Sequence, residues 1–498
     1  MPDLFISVEQ AEADLLACAA FIAERIKSAD GHAEAMKSIL PRFLARGEVD
    51  LAAELANAVD DPFSRDGLLT LVAEKCVEIN DVDYAMQLTD AIEDDGVRTA
   101  AMERLGLILA GKGDTEKAGE IAASMAHPDF VYAGIAVRQT ADGDKVASAE
   151  TLERIAFPTA RVSALQQIAA NAVESDAESA IESLDQAVND AIDIEHDEEK
   201  IRSLCEIGDL FIEARRNDKA IETFEKACQL AEILDNMHRD LFLSVCALGF
   251  LHAGSIELAD RTLDLITDKT QMASALVGFA RDQWKNSEND EAEETLDEAY
   301  LILSSQREAE THDSRARNAA MASIAAQFAR FSKYERAIEA ADKIWDIGDR
   351  TSALTQIAQI FAMQREDDLA RQALDEIPDD ANRLVALISV ADAQEKIGDA
   401  QNSLATLNEA AELVETVPQL GARSSVLNEL GIRFADHGQP ERTRELAIAN
   451  LAVISQIRDE SSKAAALAGL SDLYSRVKIE PGDEEKNAMR ALVAAVAW

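Results

Sequence analysis

The chain has 498 residues, a length that would usually form about three or four globular domains, and it carries 94 acidic against 48 basic residues. The formal net charge of −46 leaves no basic stripe for phosphate groups, so we expect no nucleic-acid partner. The same acidity, with only 5% aromatic residues, would suit a salt-rich cytoplasm, although many soluble repeat proteins are simply acidic.

The first predicted element is a helix near the start of the chain. Ser7 and Gln10 have the spacing of a capping box, which predicts a helix running to about Lys27. Its apolar run LLACAAFIA is too short to cross a bilayer, and acidic rather than basic residues precede it. We therefore expect residues 1–30 to form an N-terminal capping helix, with no membrane insertion and a cytoplasmic location.

The pattern that organises the rest of the chain is clearest in residues 346–378. An apolar stripe occupies the places +4, +7 and +11 after Arg350, namely Leu354, Ile357 and Phe361. At about 100° per residue these places share one face of a helix, and Asp346 is positioned to cap its first turn. Polar residues then break the stripe, and a second stripe follows at Ala370, Leu374 and Ile377. Each helix must bury its stripe against other copies, so the sequence predicts stacked helical hairpins.

The same frame recurs along the chain, and each copy is numbered from the residue equivalent to Arg350. The commonest step between these anchor residues is 33 residues, a register that unrelated amphipathic helices would not maintain. Most copies have Leu or Met at +4, and several have an aromatic residue at +11, Gly at +15 and Ala at +20. The anchors are His32, Arg65, Arg98, Val131, Arg161, Lys200, Arg239, Met272, Arg317, Arg350, Arg383, Arg423 and Lys463.

This order of residues resembles the tetratricopeptide repeat (TPR) family. The shared features are the Leu, a large–small pair such as Ile207 and Gly208, the aromatic residue and the packing Ala, and residues 200–235 match best. The resemblance covers roughly residues 30–477, with Leu in place of the usual Trp at +4 and steps that vary around the usual length of about 34 residues. It implies an all-α fold, a right-handed α-solenoid of about thirteen TPR-like hairpins with capping helices.

The domain organisation follows from the extent of the repeat. No Pro-, Gly- or Ser-rich linker divides the chain, so we expect a single elongated array over residues 31–477 and a C-terminal capping helix over residues 478–498. Two connecting stretches, residues 190–199 and 304–313, are longer than the others. Both are predicted to extend helices, to end in exposed loops and to be points where the array flexes.

No catalytic or metal-binding constellation stands out in the sequence. Residues 106–113 match most of a phosphate-binding P-loop, but the Ser or Thr after Lys112 is missing and no strand precedes them. The seven histidines are scattered, and the five cysteines show no CxxC spacing, a pattern typical of buried free thiols in a reducing compartment. We predict no enzyme activity, no cofactor and no metal site.

Basic residues at the anchor position form the most regular polar feature. Eight of the thirteen anchors are Arg, on the same face as the apolar stripe, and several follow an Asp by four residues. In the structural interpretation the Asp caps the helix, and the Arg contacts that Asp or the last carbonyl groups of the preceding helix. In the functional interpretation the column is an internal ladder for anions. The shared face favours the structural interpretation.

The resemblance also indicates which surface would meet a partner. In TPR arrays the first helices line the concave surface, and the places +2, +5, +9 and +12 face it. Most of these places are small or polar here, whereas the seventh and eighth copies are more apolar. Such a patch suits an amphipathic helix or an extended apolar segment, unless another part of the array covers it. The predicted partner-binding residues are Leu241, Leu248, Leu251, Val277, Arg281 and Trp284.

The sequence therefore favours a non-catalytic protein–protein interaction scaffold or adaptor that binds a protein segment in the concave groove. The alternative is a ligand-sensing regulatory solenoid that binds a small molecule or peptide. An enzyme would need a catalytic constellation that the sequence does not offer. The identity of the partner and the oligomeric state stay open at this stage.

Overall fold

The computed structural model describes residues 5–307, 313–478 and 480–496, and all regular structure in these residues is helical. They form 28 α-helices and a single 3₁₀ turn at Val414–Thr416, which confirms the predicted all-α fold. In chain order the α-helices are α1 (Val8–Ala13), α2 (Leu15–Ala23), α3 (Ala29–Arg46), α4 (Val49–Asn57), α5 (Pro62–Glu78), α6 (Val82–Asp90), α7 (Asp95–Lys112), α8 (Thr115–Ser124), α9 (Asp129–Ala141), α10 (Lys145–Leu152), α11 (Pro158–Ala172), α12 (Ala177–Ile192), α13 (Asp197–Glu213), α14 (Asn217–Ile233), α15 (Arg239–His252), α16 (Ile256–Leu263), α17 (Lys269–Lys285), α18 (Asn289–Ser304), α19 (Ser314–Arg330), α20 (Tyr334–Ala341), α21 (Ile347–Met363), α22 (Asp367–Asp375), α23 (Asp380–Lys396), α24 (Ala400–Glu412), α25 (Leu420–Asp436), α26 (Pro440–Gln456), α27 (Glu460–Val477) and α28 (Asp483–Val496).

The helices follow the register of the sequence repeat. Eleven of the thirteen anchors are the fourth residue of their helix, and a second helix follows each of these helices in the chain. The unit predicted at residues 346–378 consists of α21 and α22. As predicted, the Asp346 carboxylate accepts the Asp349 backbone N–H at 2.9 Å and caps α21.

The chain divides into two compact units. Unit 1 comprises Met1–Ile108 together with Ala362–Trp498, and unit 2 comprises Leu109–Phe361. Unit 1 therefore contains helices from both ends of the chain. The boundary predicted near residue 30 falls at the start of α3, and the one predicted at residue 478 falls at the end of α27.

In unit 1 the two ends of the chain pack against each other. Helix α2 contacts α27 and α28, and α27 also contacts α3. Every residue of α2 is buried, because these neighbours surround an apolar run that has no polar face. The Arg42 Nε donates to both carboxylate oxygens of Asp472 at 3.0 Å, which fixes α3 against α27.

In unit 2 the first helices of successive pairs form a row. Helices α9, α11, α13, α15, α17 and α19 contact one another in chain order, and each contacts the second helix of its own pair. Glycines allow the closest approaches in this row. A Cβ at Gly208 or Gly249 would lie 2.6 or 2.4 Å from the Phe224 ring, so this ring of α14 fits between α13 and α15. The predicted partner-binding residues lie on two helices of this row, α15 and α17.

Candidate interaction surface

A buried polar residue in the first turns of several first helices fixes the start of the next pair. The Asp66 carboxylate of α5 accepts the Asp94 N–H at 2.9 Å, and the Asp240 carboxylate of α15 accepts the Thr267 N–H at 2.8 Å. In α19 the side-chain oxygen of Asn318 plays the same part. Each acceptor lies 27 or 28 residues before the backbone N–H that it binds. These residues therefore hold consecutive helix pairs at a constant offset.

Sequence reasoning missed this set of acceptors, because it assigned acidic residues to turns and helix caps. A signal was present in the sequence. In three copies an Asp or Asn directly follows the Arg anchor, and it is buried in the structure at Asp66, Asp240 and Asn318. Buried side chains of this type need fixed hydrogen-bond partners, which makes them markers of tertiary contact.

The Arg anchors support the structural interpretation of their column. The Arg98 Nη1 donates to the Ile92 carbonyl at 2.9 Å, and the Arg423 Nε donates to the Val417 carbonyl at 2.9 Å. Both carbonyls lie just after the preceding helical segment, as the structural interpretation predicts, and we call this contact between helix pairs the clasp. The Asp four residues earlier acts as a cap in most copies. Asp235 is the exception, because α15 begins later and the Asn236 side chain takes the His238 N–H at 2.9 Å.

Arg317 is the most deeply buried of the Arg anchors among the described residues. Its side chain is 1% exposed, and it donates to the Lys343 carbonyl at 2.6 Å and to the Leu303 carbonyl at 3.2 Å. Its guanidinium also lies 3.9 Å from the centroid of the Trp345 ring. Burial lowers the pKa of Arg317 from its ordinary value. One Arg side chain thus joins the end of α18 to the end of α20.

The six predicted partner-binding residues differ in how far they are exposed to solvent. Leu241 is 40% exposed and Arg281 is exposed, whereas Val277 is only 5% exposed. Leu248 and Leu251 are half-buried, and both contact the hydrophobic core of unit 2. Val277 therefore offers almost no area to a partner, and the exposed apolar surface centres on α15.

Leu248 owes its position to a glycine on the next first helix. A Cβ at Gly278 would lie 2.4 Å from the Leu248 Cδ2 atom, so only a glycine admits this side chain at α17. The sequence pattern predicts Leu248 as a partner-binding residue. In the structure, contact with Gly278 covers part of this leucine.

Trp284 also contacts a neighbouring helix pair. Its ring stacks on Phe331 with ring centroids 4.0 Å apart and an angle of 14° between the ring planes. This contact matches the alternative considered above, in which another part of the array covers the tryptophan. Arg281 lies nearby on the same helix. Burial and the positive charge of Arg281 lower the pKa of Arg330.

One exposed residue of this surface was missed by sequence reasoning. Val245 is 36% exposed, one turn after Leu241 on α15. Leu241, Val245 and Leu248 are spaced i, i+4 and i+7, so they form an apolar stripe on the side of α15 that faces away from its core stripe. The places +2 and +9 that guided the prediction do not include Val245, although its i+4 spacing from Leu241 is visible in the sequence.

Other candidate chemistry gives no second site. The P-loop-like residues 106–113 form the end of α7 and the turn after it. In the described part of the chain, no three or more His, Cys, Asp or Glu side chains are grouped so that they could hold a metal ion. The five cysteines are buried free thiols, with the Sγ atoms of Cys205 and Cys246 3.9 Å apart. Within the described ranges, no helix combines the length and apolarity needed to cross a membrane.

Comparisons with known proteins give distant structural likenesses. No protein-family model and no curated protein sequence matches the chain. Ton1535 from Thermococcus onnurineus NA1 is 17% identical with a TM-score of 0.25, covering 71% of this chain and 98% of that one. The STAND signal-transduction ATPase PH0952 of Pyrococcus horikoshii, which has a TPR sensor, is 14% identical with a TM-score of 0.26, covering 77% and 54%. This chain spans about half of that ATPase's length.

A third solved structure covers more of the chain. One chain in the structure of Naa15 and Naa10 bound to HypK-THB is 13% identical to this chain, with a TM-score of 0.33. The match covers 98% of this chain and 84% of that one. At these sequence identities and TM-scores, the likeness carries no argument about the function of this chain.

The chain's own repeat register identifies the kind of fold. The packing Ala at +20 is buried in seven copies, at Ala85, Ala118, Ala220, Ala259, Ala292, Ala337 and Ala370. The aromatic residue at +11 is buried in six, at Phe211, Phe250, Phe328, Phe361, Phe434 and Tyr474. Burial at these places is what the hairpin pattern requires. The described residues form an array of helical hairpins whose repeat resembles the TPR pattern.

Proposed function

We propose that this protein is a non-catalytic interaction scaffold that binds a segment of a protein partner on the outer faces of α15 and α17. The observation that carries the proposal is the exposed apolar pair Leu241 and Val245, which the half-buried Leu248 extends by one turn. Helix α15 already buries its opposite face in the core of unit 2. An amphipathic helix has no structural need for a second apolar face, so the outer stripe indicates a surface that a partner covers.

The residues around the stripe define the kind of segment that fits. An amphipathic helix or an extended segment could place apolar side chains on Leu241 and Val245. Arg281 on α17 enters no ion pair among the described residues, so it is placed to orient a carboxylate of the partner. Leu251 and Trp284 would form the half-buried floor beside it.

Affinity purification from native cells in native salt, followed by substitution of the stripe, tests this proposal. Leu241→Asp and Val245→Asp should each abolish co-purification of the partner, because a carboxylate would be desolvated in an apolar contact. Ile256→Asp is the matched control, since Ile256 is also an exposed apolar residue but begins the second helix of the same pair. Equal retention of the partner by all three variants would refute the proposed surface.

A small-molecule sensor is the second candidate function, and one observation favours it. Unit 1 contains a polar cavity of about 290 Å³ between α1, α3, α27 and α28, with Asp14, Arg46, Tyr474 and Lys486 in its lining. Charged groups of both signs suit a small zwitterion. A specific increase in melting temperature with such a ligand, lost in Arg46→Gln, would favour the sensor over the scaffold.

A further inference from the structure

A second surface of unit 2 has the opposite charge character. A cavity of about 590 Å³, open to solvent, lies between the start of α13 and the connection from α14 to α15. Three carboxylates and one guanidinium line it. The lining residues are His196, Asp197, Glu198, Glu199, Arg202, Leu234 and Asn236.

The carboxylates of this cavity are only partly neutralised within the chain. Glu198 accepts from Asn236 at 2.8 Å and lies 3.0 Å from the His238 ring nitrogen Nδ1. The hydrogen bond from His238 lowers the pKa of Glu198. Among the described residues, Asp197 and Glu199 enter no ion pair. The partial positive charge at the start of α13 supports these acids without cancelling their charge.

Large apolar side chains close in sequence to the lining residues are exposed. Ile233, the final residue of α14, is 75% exposed, and Met237 in the following connection is 84% exposed. Ile192, the final residue of α12, is exposed as well. Methionine adapts its shape to many apolar contacts, and exposed apolar residues grouped around a cavity indicate a binding surface.

We propose that this cavity and its apolar border bind a protein segment in which an Arg or Lys is flanked by large apolar side chains. The cation would enter the cavity that Asp197 and Glu199 both line, and its apolar neighbours would cover Ile233 and Met237. Charge complementarity carries this choice of partner, since an acidic segment would meet three carboxylates in the lining. The surface is distinct from the α15–α17 surface, where Arg281 favours a partner carboxylate.

The test uses the full-length protein and a fluorescein-labelled peptide of alternating leucine and arginine, measured by fluorescence anisotropy at 0.15 M KCl. The double variant Asp197→Asn with Glu199→Gln should weaken peptide binding by about fivefold or more, as expected for two exposed ion pairs. The matched control is Asp290→Asn with Glu291→Gln, which removes two carboxylates from the first turn of α18. It should leave the dissociation constant unchanged within about twofold.

A second pair of variants tests the apolar border. Ile233→Ser and Met237→Ser should each weaken binding at least about threefold, and both side chains are too exposed for these changes to unfold the protein. Equal weakening by both carboxylate double variants would show a general attraction to an acidic protein and would overturn the proposal. Absence of binding, unchanged binding in both serine variants, or equal binding of a peptide with glutamate in place of arginine would overturn it too.

Discussion

Removal of the buried guanidinium of Arg317 is the sharpest test of the clasp between helix pairs. Arg317→Met keeps an unbranched apolar stem but removes the Arg317 hydrogen bonds to the carbonyls of Lys343 and Leu303, of which the Leu303 carbonyl still accepts the Gln306 N–H. Hydrogen bonds from a charged donor contribute about 1.5–3 kcal/mol each, and the contact with the Trp345 ring adds about 0.5–2 kcal/mol. Part of this lost stability is regained, because the substitution also removes a buried charge that is not fully compensated. The Arg317 Nε has no hydrogen-bond partner among the described residues. We expect a net loss of about 3 kcal/mol.

Arg350→Met is the matched control for this substitution. Arg350 is the equivalent anchor of the next copy, but it is over one-third exposed and its ion pair with Asp342 is 3.6 Å long. Exposed pairs of this kind contribute about 0–1 kcal/mol. The sequence alone treats the two anchors as equivalent, so a difference between the variants tests the structural argument directly.

Local stability is the appropriate measurement, because a long repeat array need not unfold in a single step. Native-state hydrogen exchange followed by mass spectrometry would report the opening free energy of the C-terminal turns of α18 and α20. These turns should lose protection in Arg317→Met and keep it in Arg350→Met. Unchanged protection in Arg317→Met, or equal losses in both variants, would refute the clasp at Arg317.

Three further predictions concern the aromatic stack, a buried carboxylate and the net charge. Trp284→Ala should lower the free energy of unfolding by about 2 kcal/mol, because it removes the stack on Phe331; a variant that melts like the wild type but loses a partner would instead support a binding role. Burial opposes ionisation of Asp240, but hydrogen bonds from Asp268 and Thr267 outweigh it and lower the pKa below its ordinary value of 3.8. Its contribution to stability is therefore present above about pH 4 and is lost as the pH falls through the lowered pKa, so the wild type should lose more stability between pH 5 and pH 3 than Asp240→Asn, and parallel losses would contradict this. If the net charge of −46 reflects a salt-rich cytoplasm, the melting temperature should rise with KCl into the molar range; a flat curve above about 0.15 M would indicate an ordinary acidic protein.

The sequence predicts the hairpin register well because that register is a property of spacing. The apolar stripe and the buried residues at +11 and +20 recur at fixed offsets, and the same offsets place Arg350 and most other anchors at the fourth residue of a helix. Helical periodicity depends only on the angle between successive residues, which a single sequence displays directly.

The candidate surface was harder to predict, because it depends on which neighbour covers each side chain. Periodicity places Trp284 opposite the core stripe of its own helix, but it carries no information about Phe331 in the next helix pair. The same limit applies to Val277, whose burial depends on adjacent helices. The stripe through Val245 was missed because its place is not among those that the family pattern assigns to the groove.

The contact between α2 and α27 has a consequence for synthesis of the protein. Arg42 and Asp472, which fasten the two ends of the chain, are 430 residues apart in sequence. At about 5–20 residues per second, the apolar run of α2 leaves the ribosome roughly 20 to 90 seconds before its covering helix has been made. During that interval only α1 and α3 can cover this run, whose nine residues are all buried in the folded protein, so part of it stays exposed. Premature termination before α27 would make this exposure permanent and would mark the product for chaperones or proteases.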